Sequence, residues 1–108
     1  MPDVVLVVDD EPLLVELAAG MLRELGCDVI TSHSADEALR ILDAEPRITI
    51  LLTDVQMPGV SGFELAARAR RKRSDLRVVF ASGRDRVDGE AFVAKPFSRQ
   101  TLSRVIAC

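Results

Sequence analysis

Five short apolar segments alternate along the chain with segments whose apolar residues recur at helical spacing. The apolar segments predict strands over residues 4–8, 28–32, 48–53, 77–82 and 91–95. Residues 4–8 are a run of Val and Leu without a polar residue, which is typical of a strand covered on both faces of a sheet. Strands that alternate with helices predict parallel pairing through right-handed crossovers.

Four helices are predicted between and after these strands. Gly26 is placed to end the first, Ser34 and Glu37 have capping-box spacing at the start of the second, and Ser98 is positioned to cap the last. The third helix is predicted over residues 61 to about 73, and Pro46 lies just beyond the second. The apolar positions of the four helices are Leu14, Leu17, Ala18, Met21 and Leu25; Ala35, Ala38, Leu39 and Leu42; Leu65, Ala66 and Ala69; and Leu102, Val105 and Ile106.

This order of elements predicts an α/β fold with a flavodoxin-like, doubly wound, five-stranded parallel sheet in the order 2-1-3-4-5. One domain over residues 1–108 accounts for the whole pattern. The connection before the fifth strand is the exception, because residues 83–90 contain two glycines and Val87 as their only large apolar side chain. We therefore expect a shortened or missing fourth helix, replaced by a polar, mobile connection.

Composition narrows the class of protein. Seventeen acidic against fourteen basic residues give a formal charge of −3, which argues against direct nucleic-acid binding. No apolar run approaches the roughly 18 residues of a membrane span and no secretory signal opens the chain, so a cytoplasmic protein without a membrane partner is predicted. Cys27 and Cys108 lack the spacing of a metal site or a disulfide framework, so we expect a packed small hydrophobe and an exposed terminal thiol.

Two other features have plain structural interpretations. Five basic side chains concentrate at the end of the third helix, where positive charge suits the helix dipole, and a solvated helix end is favoured over a nucleic-acid patch. They are Arg68, Arg70, Arg71, Lys72 and Arg73. His33, the only histidine, follows the second strand and is interpreted as a loop residue.

Polar residues stand at the carboxyl ends of four predicted strands. Asp9 and Asp10 follow strand 1, Asp54 follows strand 3, Ser82 ends strand 4 and Lys95 ends strand 5. In the proposed order, three carboxylates converge at one edge, where a hard cation such as Mg²⁺ would offset their mutual repulsion. An ammonium and a hydroxyl on the same edge are suited to a phosphoryl group.

Four motifs, in this order and on these elements, resemble the receiver domains of two-component response regulators. They are "VVDDE" (7–11), "LLTDVQMPGVSGFEL" (51–65), "FASG" (80–83) and "AKPF" (94–97), and the resemblance covers essentially the whole chain. It implies that Asp54 accepts a phosphoryl group from a phosphohistidine on a histidine kinase or a histidine phosphotransfer protein. The protein would then be a signalling phosphoacceptor that catalyses only its own phosphorylation and dephosphorylation.

The resemblance also implies the remaining roles at the site. Mg²⁺ would be bound by Asp10 directly, by Asp9 through water, by Asp54 and by the backbone carbonyl of Gln56, while Lys95 would contact the phosphoryl oxygens. The switch residues would be Ser82 and Phe92, and the Lys95–Pro96 bond would be cis. The positions that tune dephosphorylation would be Gln56 and Arg84; shielding of the phosphoryl group by Arg84 and a side chain pointing into water remain equal alternatives.

Two other functions stay open from the residues. One is a phosphate-independent interaction module, for which the missing helix is the best support. The other is a small Mg²⁺-dependent phosphatase, which is disfavoured because a nucleophilic Asp of that kind needs a second acid two positions later, where this chain has Gln56. A stand-alone regulator is slightly favoured over a phosphorelay intermediate or a receiver cut from a hybrid kinase. The oligomeric state and the downstream partner are left open.

Overall fold

The computed structural model describes residues 3–83 and 89–108, and within them five parallel strands form one sheet. The strands are β1 (Val4–Val8), β2 (Asp28–Ser32), β3 (Ile48–Asp54), β4 (Arg77–Ser82) and β5 (Ala91–Ala94). They lie in the order β2-β1-β3-β4-β5, and all four neighbouring pairs are parallel. The predicted flavodoxin-like sheet order is confirmed.

The helices in the described part of the chain are α1 (Pro12–Glu24), α2 (Ala35–Ala44), α3 (Gly62–Lys72) and α4 (Arg99–Val105). Serine hydroxyls cap three of them by accepting a backbone N–H of the first turn, at 3.1 Å for Ser34, 3.2 Å for Ser61 and 3.2 Å for Ser98. The first helix begins instead with Pro12, whose missing N–H costs nothing at that position. None of these helices is long and apolar enough to cross a membrane.

The sheet is covered on both faces, which explains the continuous apolar sequence of β1. One face packs against α2 and α3 and the other against α1 and α4, and every residue of β1 is buried between the two layers. Side chains of alternate strand residues therefore enter opposite cores. The largest fully buried side chains include Phe80 and Leu6 on the α2–α3 side and Leu22, Ile50, Leu52, Leu102 and Ile106 on the α1–α4 side.

The first helix presents a different face to the sheet from the one that its spacing suggested. Its buried residues are Val15, Ala18, Ala19 and Leu22, whereas Leu17 is 58% exposed. Apolar residues occur on more than one side of α1, so spacing alone does not decide which of them packs against the strands. The choice depends on how the helix docks on the sheet, and it leaves an apolar stripe facing outward.

The connection between β4 and β5 is only partly described. Gly83, Gly89 and Glu90 are not helical, and residues 84–88, which include Arg84 and Val87, lie outside the described residues. The predicted mobility of this connection and the predicted role of Arg84 therefore stay predictions. Its end is anchored, because the guanidinium of Arg70 on α3 donates to both carboxylate oxygens of Glu90, at 2.8 and 3.2 Å.

The expectation for the two cysteines was wrong. Cys27 is buried as predicted, but it forms a disulfide with Cys108, with a Cα–Cα distance of 5.2 Å. The bond joins positions 81 residues apart, so no local spacing could have indicated it. Packing of α4 against α1 brings the end of the chain over the segment between α1 and β2, where Cys27 lies.

The basic end of α3 is also more than a solvated helix end. The guanidinium of Arg73 donates to the carbonyl oxygens of Leu42 and Ile48, both at 2.6 Å, of Pro46 at 3.2 Å, and of Glu45. These carbonyls belong to the end of α2, where the last acceptors lack intrahelical partners, to the loop after it and to the first residue of β3. Arg73 therefore ties α3 to the end of α2.

Candidate functional site

Three side chains meet at the carboxyl edge of the sheet. The Nζ atom of Lys95, just after β5, lies 2.7 Å from Oδ2 of Asp9, just after β1, and 2.9 Å from Oδ1 of Asp54, the last residue of β3. Each contact is a salt bridge between partly buried groups, with the Lys95 side chain 18% exposed. The prediction that these strand ends converge agrees with this geometry.

Strand register explains why these residues meet. Val8 pairs with Thr53, so the next residues, Asp9 and Asp54, are neighbours at the edge. Ser82 pairs with Ala94 and its carbonyl accepts the N–H of Lys95 at 2.7 Å, which fixes the backbone from which the ammonium reaches across. A shift of the strand register by one residue would turn these side chains to the other face of the sheet and remove the contacts.

The carboxylates form a group suited to a divalent cation. Asp9, Asp10 and Asp54 each contribute an oxygen atom, and the three oxygens lie within 4.8 Å of one another. Asp9 is buried, the Asp54 side chain is largely buried and Asp10 is exposed, so the group opens on one side to solvent. Carboxylate oxygens are the donors that Mg²⁺ prefers, and a Mg²⁺ ion commonly takes one or two of them while keeping waters. The residues present fit the predicted ion.

Burial and the hydrogen bonds of the site raise the pKa values of both Asp54 and Lys95. Burial raises the pKa of the Asp54 carboxyl; the hydrogen bond from Lys95 opposes this shift, and the neighbouring charges of Asp9 and Asp10 add to it. Burial by itself would lower the pKa of Lys95, but its hydrogen bonds to Asp9 and Asp54 outweigh burial and raise it. The ammonium therefore stays charged and offsets part of the carboxylate repulsion.

The backbone of Asp54 is held from several sides. The hydroxyl of Thr53, which is fully buried, donates to the Asp54 carbonyl at 3.0 Å, and the N–H of Val55 donates to the Ala81 carbonyl at 3.1 Å. The N–H of Gly62 donates to the Val55 carbonyl at 2.9 Å. Reasoning from the sequence missed Thr53 and Gly62. A polar residue inside an apolar strand and a glycine at a helix start were the available signals.

Other predicted site residues lie around this edge. Ser82 is partly exposed at the end of β4, and Gln56 is exposed in the loop two residues beyond Asp54. Phe92 on β5 is half-buried, opposite Phe80 in the register, and packs against the core on the α2–α3 side. The Lys95–Pro96 bond has the cis geometry that the resemblance implies. The exposed His33 follows β2 at the same edge, but β1 lies between β2 and the strand that ends at Asp54, and the His33 N–H donates to Glu37.

An apolar groove adjoins the site on its α1 side. It has a volume of about 240 Å³ and is lined by Leu14, Leu17, Met21, Lys95, Pro96 and Phe97. On the same helix, Leu13 is 79% exposed and lies one turn before Leu17. The outward apolar stripe of α1 therefore leads to the edge where Lys95 meets Asp54.

Comparison with known proteins places the chain in a protein family. Residues 5–107 match the model of the response regulator receiver domain. The chain is 35% identical over 107 residues to the transcriptional regulatory protein TcrA of Mycobacterium tuberculosis and 37% identical over 113 residues to the positive alginate biosynthesis regulatory protein of Pseudomonas aeruginosa. These alignments cover 91% and 94% of this chain but 42% and 45% of those proteins. The chain thus spans less than half the length of these relatives.

Solved structures share the fold. The receiver domain of the hybrid histidine kinase CckA superposes with a TM-score of 0.83 at 34% identity, covering 94% of this chain and 93% of that one. The chemotaxis protein CheY4 of Vibrio cholerae superposes with a TM-score of 0.88 at 24% identity, covering 98% and 100%. The sheet and its covering helices therefore follow a known arrangement over nearly the whole chain.

Proposed function

Because the chain belongs to the response regulator receiver domain family, we propose that Asp54 is the residue that accepts the phosphoryl group. The donor is a phosphohistidine on a histidine kinase or a histidine phosphotransfer protein. The observation that carries this proposal is the Lys95 ammonium, held 2.9 Å from Asp54 beside a cluster of carboxylates. A carboxylate with a fixed cation next to it is equipped to receive a group that brings negative charge.

The transfer balances as a displacement at phosphorus. A carboxylate oxygen of Asp54 forms the new O–P bond while the P–N bond to the donor imidazole breaks, and its electron pair returns to the imidazole nitrogen. The residues contribute position and charge, as phosphoryl transfer generally requires. Lys95 holds the carboxylate in place beforehand and then contacts the phosphoryl oxygens.

The cation site has a defined part in this proposal. Asp9, Asp10 and Asp54, with the backbone carbonyl of Gln56, would hold Mg²⁺. When bound, the ion would supply positive charge that offsets the negative charge of the carboxylates and of the incoming phosphoryl group. Asp9 already accepts hydrogen bonds from Lys95 and from the N–H of Glu11, at 2.7 and 3.0 Å, so its carboxylate is oriented before any ion arrives.

The response to phosphorylation involves Ser82 and Phe92. Asp54 pairs with Ala81 in the register, so Ser82 lies one residue further along the neighbouring strand, within the same edge. Its hydroxyl would bond to the phosphorylated carboxylate and draw the end of β4 toward it. Phe92 lies on the next strand and is only half-buried, which leaves room for a change of rotamer.

The donor approaches across α1. The exposed Leu13 and Leu17 and the groove beside Lys95 form an apolar surface that ends at the site. A partner that covers this surface brings its phosphohistidine to the open side of the carboxylates. The partner therefore needs an apolar face next to its reactive histidine.

Intact mass after incubation with acetyl phosphate and Mg²⁺ tests the phosphoacceptor. We expect one phosphoryl group on the wild type and on the control Asp75→Asn, which removes an exposed carboxylate at the far end of the sheet, and none on Asp54→Asn. A wild type that stays unmodified, both with acetyl phosphate and with a phosphorylated histidine kinase, would favour a phosphate-independent interaction module. Turnover of a generic phosphate ester would favour a phosphatase.

Magnesium binding is tested separately by thermal unfolding with and without Mg²⁺. An ion bound to the folded state at about ten times its Kd stabilises it by about 1.4 kcal/mol. This gain should shrink in Asp10→Asn and persist in Asp75→Asn. A gain of equal size in all three proteins would show that the cation binds elsewhere.

A further inference from the structure

Gly62, the first residue of α3, occupies a position with no room for a side chain. A Cβ atom on Gly62 would lie 2.0 Å from the carbonyl oxygen of Asp54, 2.9 Å from its carbonyl carbon and 3.0 Å from Cα of Val55. All three are backbone atoms, which cannot rotate aside as the end of a side chain can. Glycine is needed here for the close approach, since the backbone of Gly62 is not among those with positive φ.

This close approach is held in place from both sides. On the helix side, Ser61 caps α3, and the buried residues Leu65, Ala66 and Ala69 press it against the sheet. On the strand side, Asp54 is the last residue of a buried central strand. Its backbone carbonyl accepts a hydrogen bond from the Thr53 hydroxyl. The N–H of Gly62 then joins the two by donating to the Val55 carbonyl at 2.9 Å.

A side chain at position 62 must displace either α3 or the Asp54–Val55 backbone. Retreat of α3 would open a gap behind its buried side chains, which is costly in a close-packed core. The Asp54–Val55 backbone and the loop after it are the softer partner, because that loop reaches solvent at Gln56. Displacement of this segment would move the Asp54 carboxylate away from Lys95 and shift the Gln56 carbonyl.

We propose that Gly62 is a positioning residue for phosphoryl transfer and for the cation site, and this inference rests on the proposed role of Asp54 as phosphoacceptor. The missing side chain lets the start of α3 abut the phosphoacceptor backbone and set the place of its carboxylate. Gly62 itself contacts neither the phosphoryl group nor the ion. It acts through the backbone of Asp54 and Val55.

Gly62→Ala tests this role against the control Gly20→Ala. Gly20 lies in α1 and is exposed, and a Cβ atom there meets nothing within 4 Å. The readouts are the rate of phosphorylation by acetyl phosphate and the Mg²⁺ dissociation constant, both measured where circular dichroism shows folded protein. In Gly62→Ala we expect the rate to fall about 100-fold, the cost of a misplacement near 1 Å. Its Mg²⁺ affinity should fall about 10-fold or more.

Gly20→Ala should keep both values and unfold at a slightly higher temperature, because alanine is the better helix former. A merely structural role for Gly62 would lower the unfolding temperature and leave the rate and the Mg²⁺ affinity of the folded protein unchanged. That result would overturn the inference.

A second pair of variants decides the matter if Gly62→Ala does not fold. Thr53→Val removes the other contact to the Asp54 carbonyl while keeping the volume, and Thr53→Ser restores the hydroxyl. We expect Thr53→Val to slow phosphorylation about fivefold, the equivalent of one neutral hydrogen bond, and Thr53→Ser to recover it. An unchanged rate in Thr53→Val would overturn the idea that contacts to this backbone set the carboxylate.

Failure of the two proposals can be told apart. A wild type that neither accepts a phosphoryl group nor binds Mg²⁺ overturns the proposed function and the role of Gly62 with it. A wild type that does both, beside a Gly62→Ala variant that does both equally well, overturns the role of Gly62 alone.

Discussion

The Nζ atom of Lys95 lies 2.9 Å from Oδ1 of Asp54, although 41 residues separate the two in the chain. The same ammonium lies 2.7 Å from Asp9, so one cation bridges two carboxylates that belong to neighbouring strands. Burial of the two carboxylates strengthens the electrostatic effect of this bridge. Both carboxylate side chains are nearly enclosed, at 8% exposure for Asp9 and 12% for Asp54, and without the ammonium their repulsion would be poorly screened.

Loss of this ammonium should impair phosphorylation more than folding. In Lys95→Met we expect the rate of phosphorylation by acetyl phosphate to fall about 100-fold or more, the usual effect of removing one preorganised donor. The control is Lys72→Met, which removes an exposed lysine paired with Asp43 on α2 and should leave the rate unchanged. The time course of intact mass gives both rates, and equal rates in the two variants would contradict a role for Lys95.

The guanidinium of Arg73 should matter for stability. Arg73→Ala leaves the carbonyls of Leu42 and Ile48 without their donor, and hydrogen bonds to a charged group contribute about 1.5–3 kcal/mol. We expect the free energy of unfolding in urea to fall by about 2 kcal/mol, and Arg73→Lys to recover only part of this because an ammonium lacks the planar fork of donors.

The neighbouring Arg71 is a matched control for that experiment. It is exposed and has no side-chain partner within residues 3–83 and 89–108, so Arg71→Ala should change stability by less than about 0.5 kcal/mol. An equal loss in both variants would indicate an effect of general charge at the helix end.

The bond between Cys27 and Cys108 should stabilise the folded chain. It closes a loop of 81 residues, and disulfides of this kind contribute about 2–4 kcal/mol by restricting the unfolded chain. Cys108→Ser should therefore lower the free energy of unfolding, and a reductant should lower it in the wild type and leave the variant unchanged. A wild type insensitive to reductant would mean that the two thiols are not bonded in solution. That outcome would suit the predicted cytoplasmic location, where disulfides are rare.

The ion pair between Arg70 and Glu90 should produce a pH dependence of stability. The hydrogen bond from Arg70 holds the pKa of Glu90 below its ordinary value of 4.5, so folding favours the ionised carboxylate. The ion pair therefore stabilises the folded state above about pH 4.5, and this stabilisation is lost as the pH falls through the lower pKa of Glu90 in the folded protein.

In Glu90→Gln we therefore expect the free energy of unfolding to fall by about 0.2–1 kcal/mol at neutral pH, the range for partly exposed pairs. The difference from the wild type should shrink in acid. Glu16→Gln removes an exposed carboxylate of α1 and is the control. A difference that stays constant as the pH falls would show that the amide perturbs packing and that charge is not the cause.

The sequence by itself determined the elements of the fold and most of the candidate site. Strand and helix periods are local properties, so apolar runs such as residues 4–8 and caps such as Ser34 and Ser98 could be recognised from their neighbours along the chain. The site could be predicted for a related reason. In a parallel sheet, residues that end different strands reach one edge, so Asp9, Asp54 and Lys95 had to converge once the strand order was known.

Only the tertiary structure decided features that depend on how the elements dock. These features are the stripe of α1 that faces the sheet, the disulfide of Cys27, the carbonyls that surround Arg73 and the lack of room for a side chain at Gly62. Each depends on contacts between different elements of the fold. Their geometry follows from close packing, where displacements below 1 Å decide whether an atom fits. Sequence periodicity indicates which residues are buried, but it does not specify what they touch.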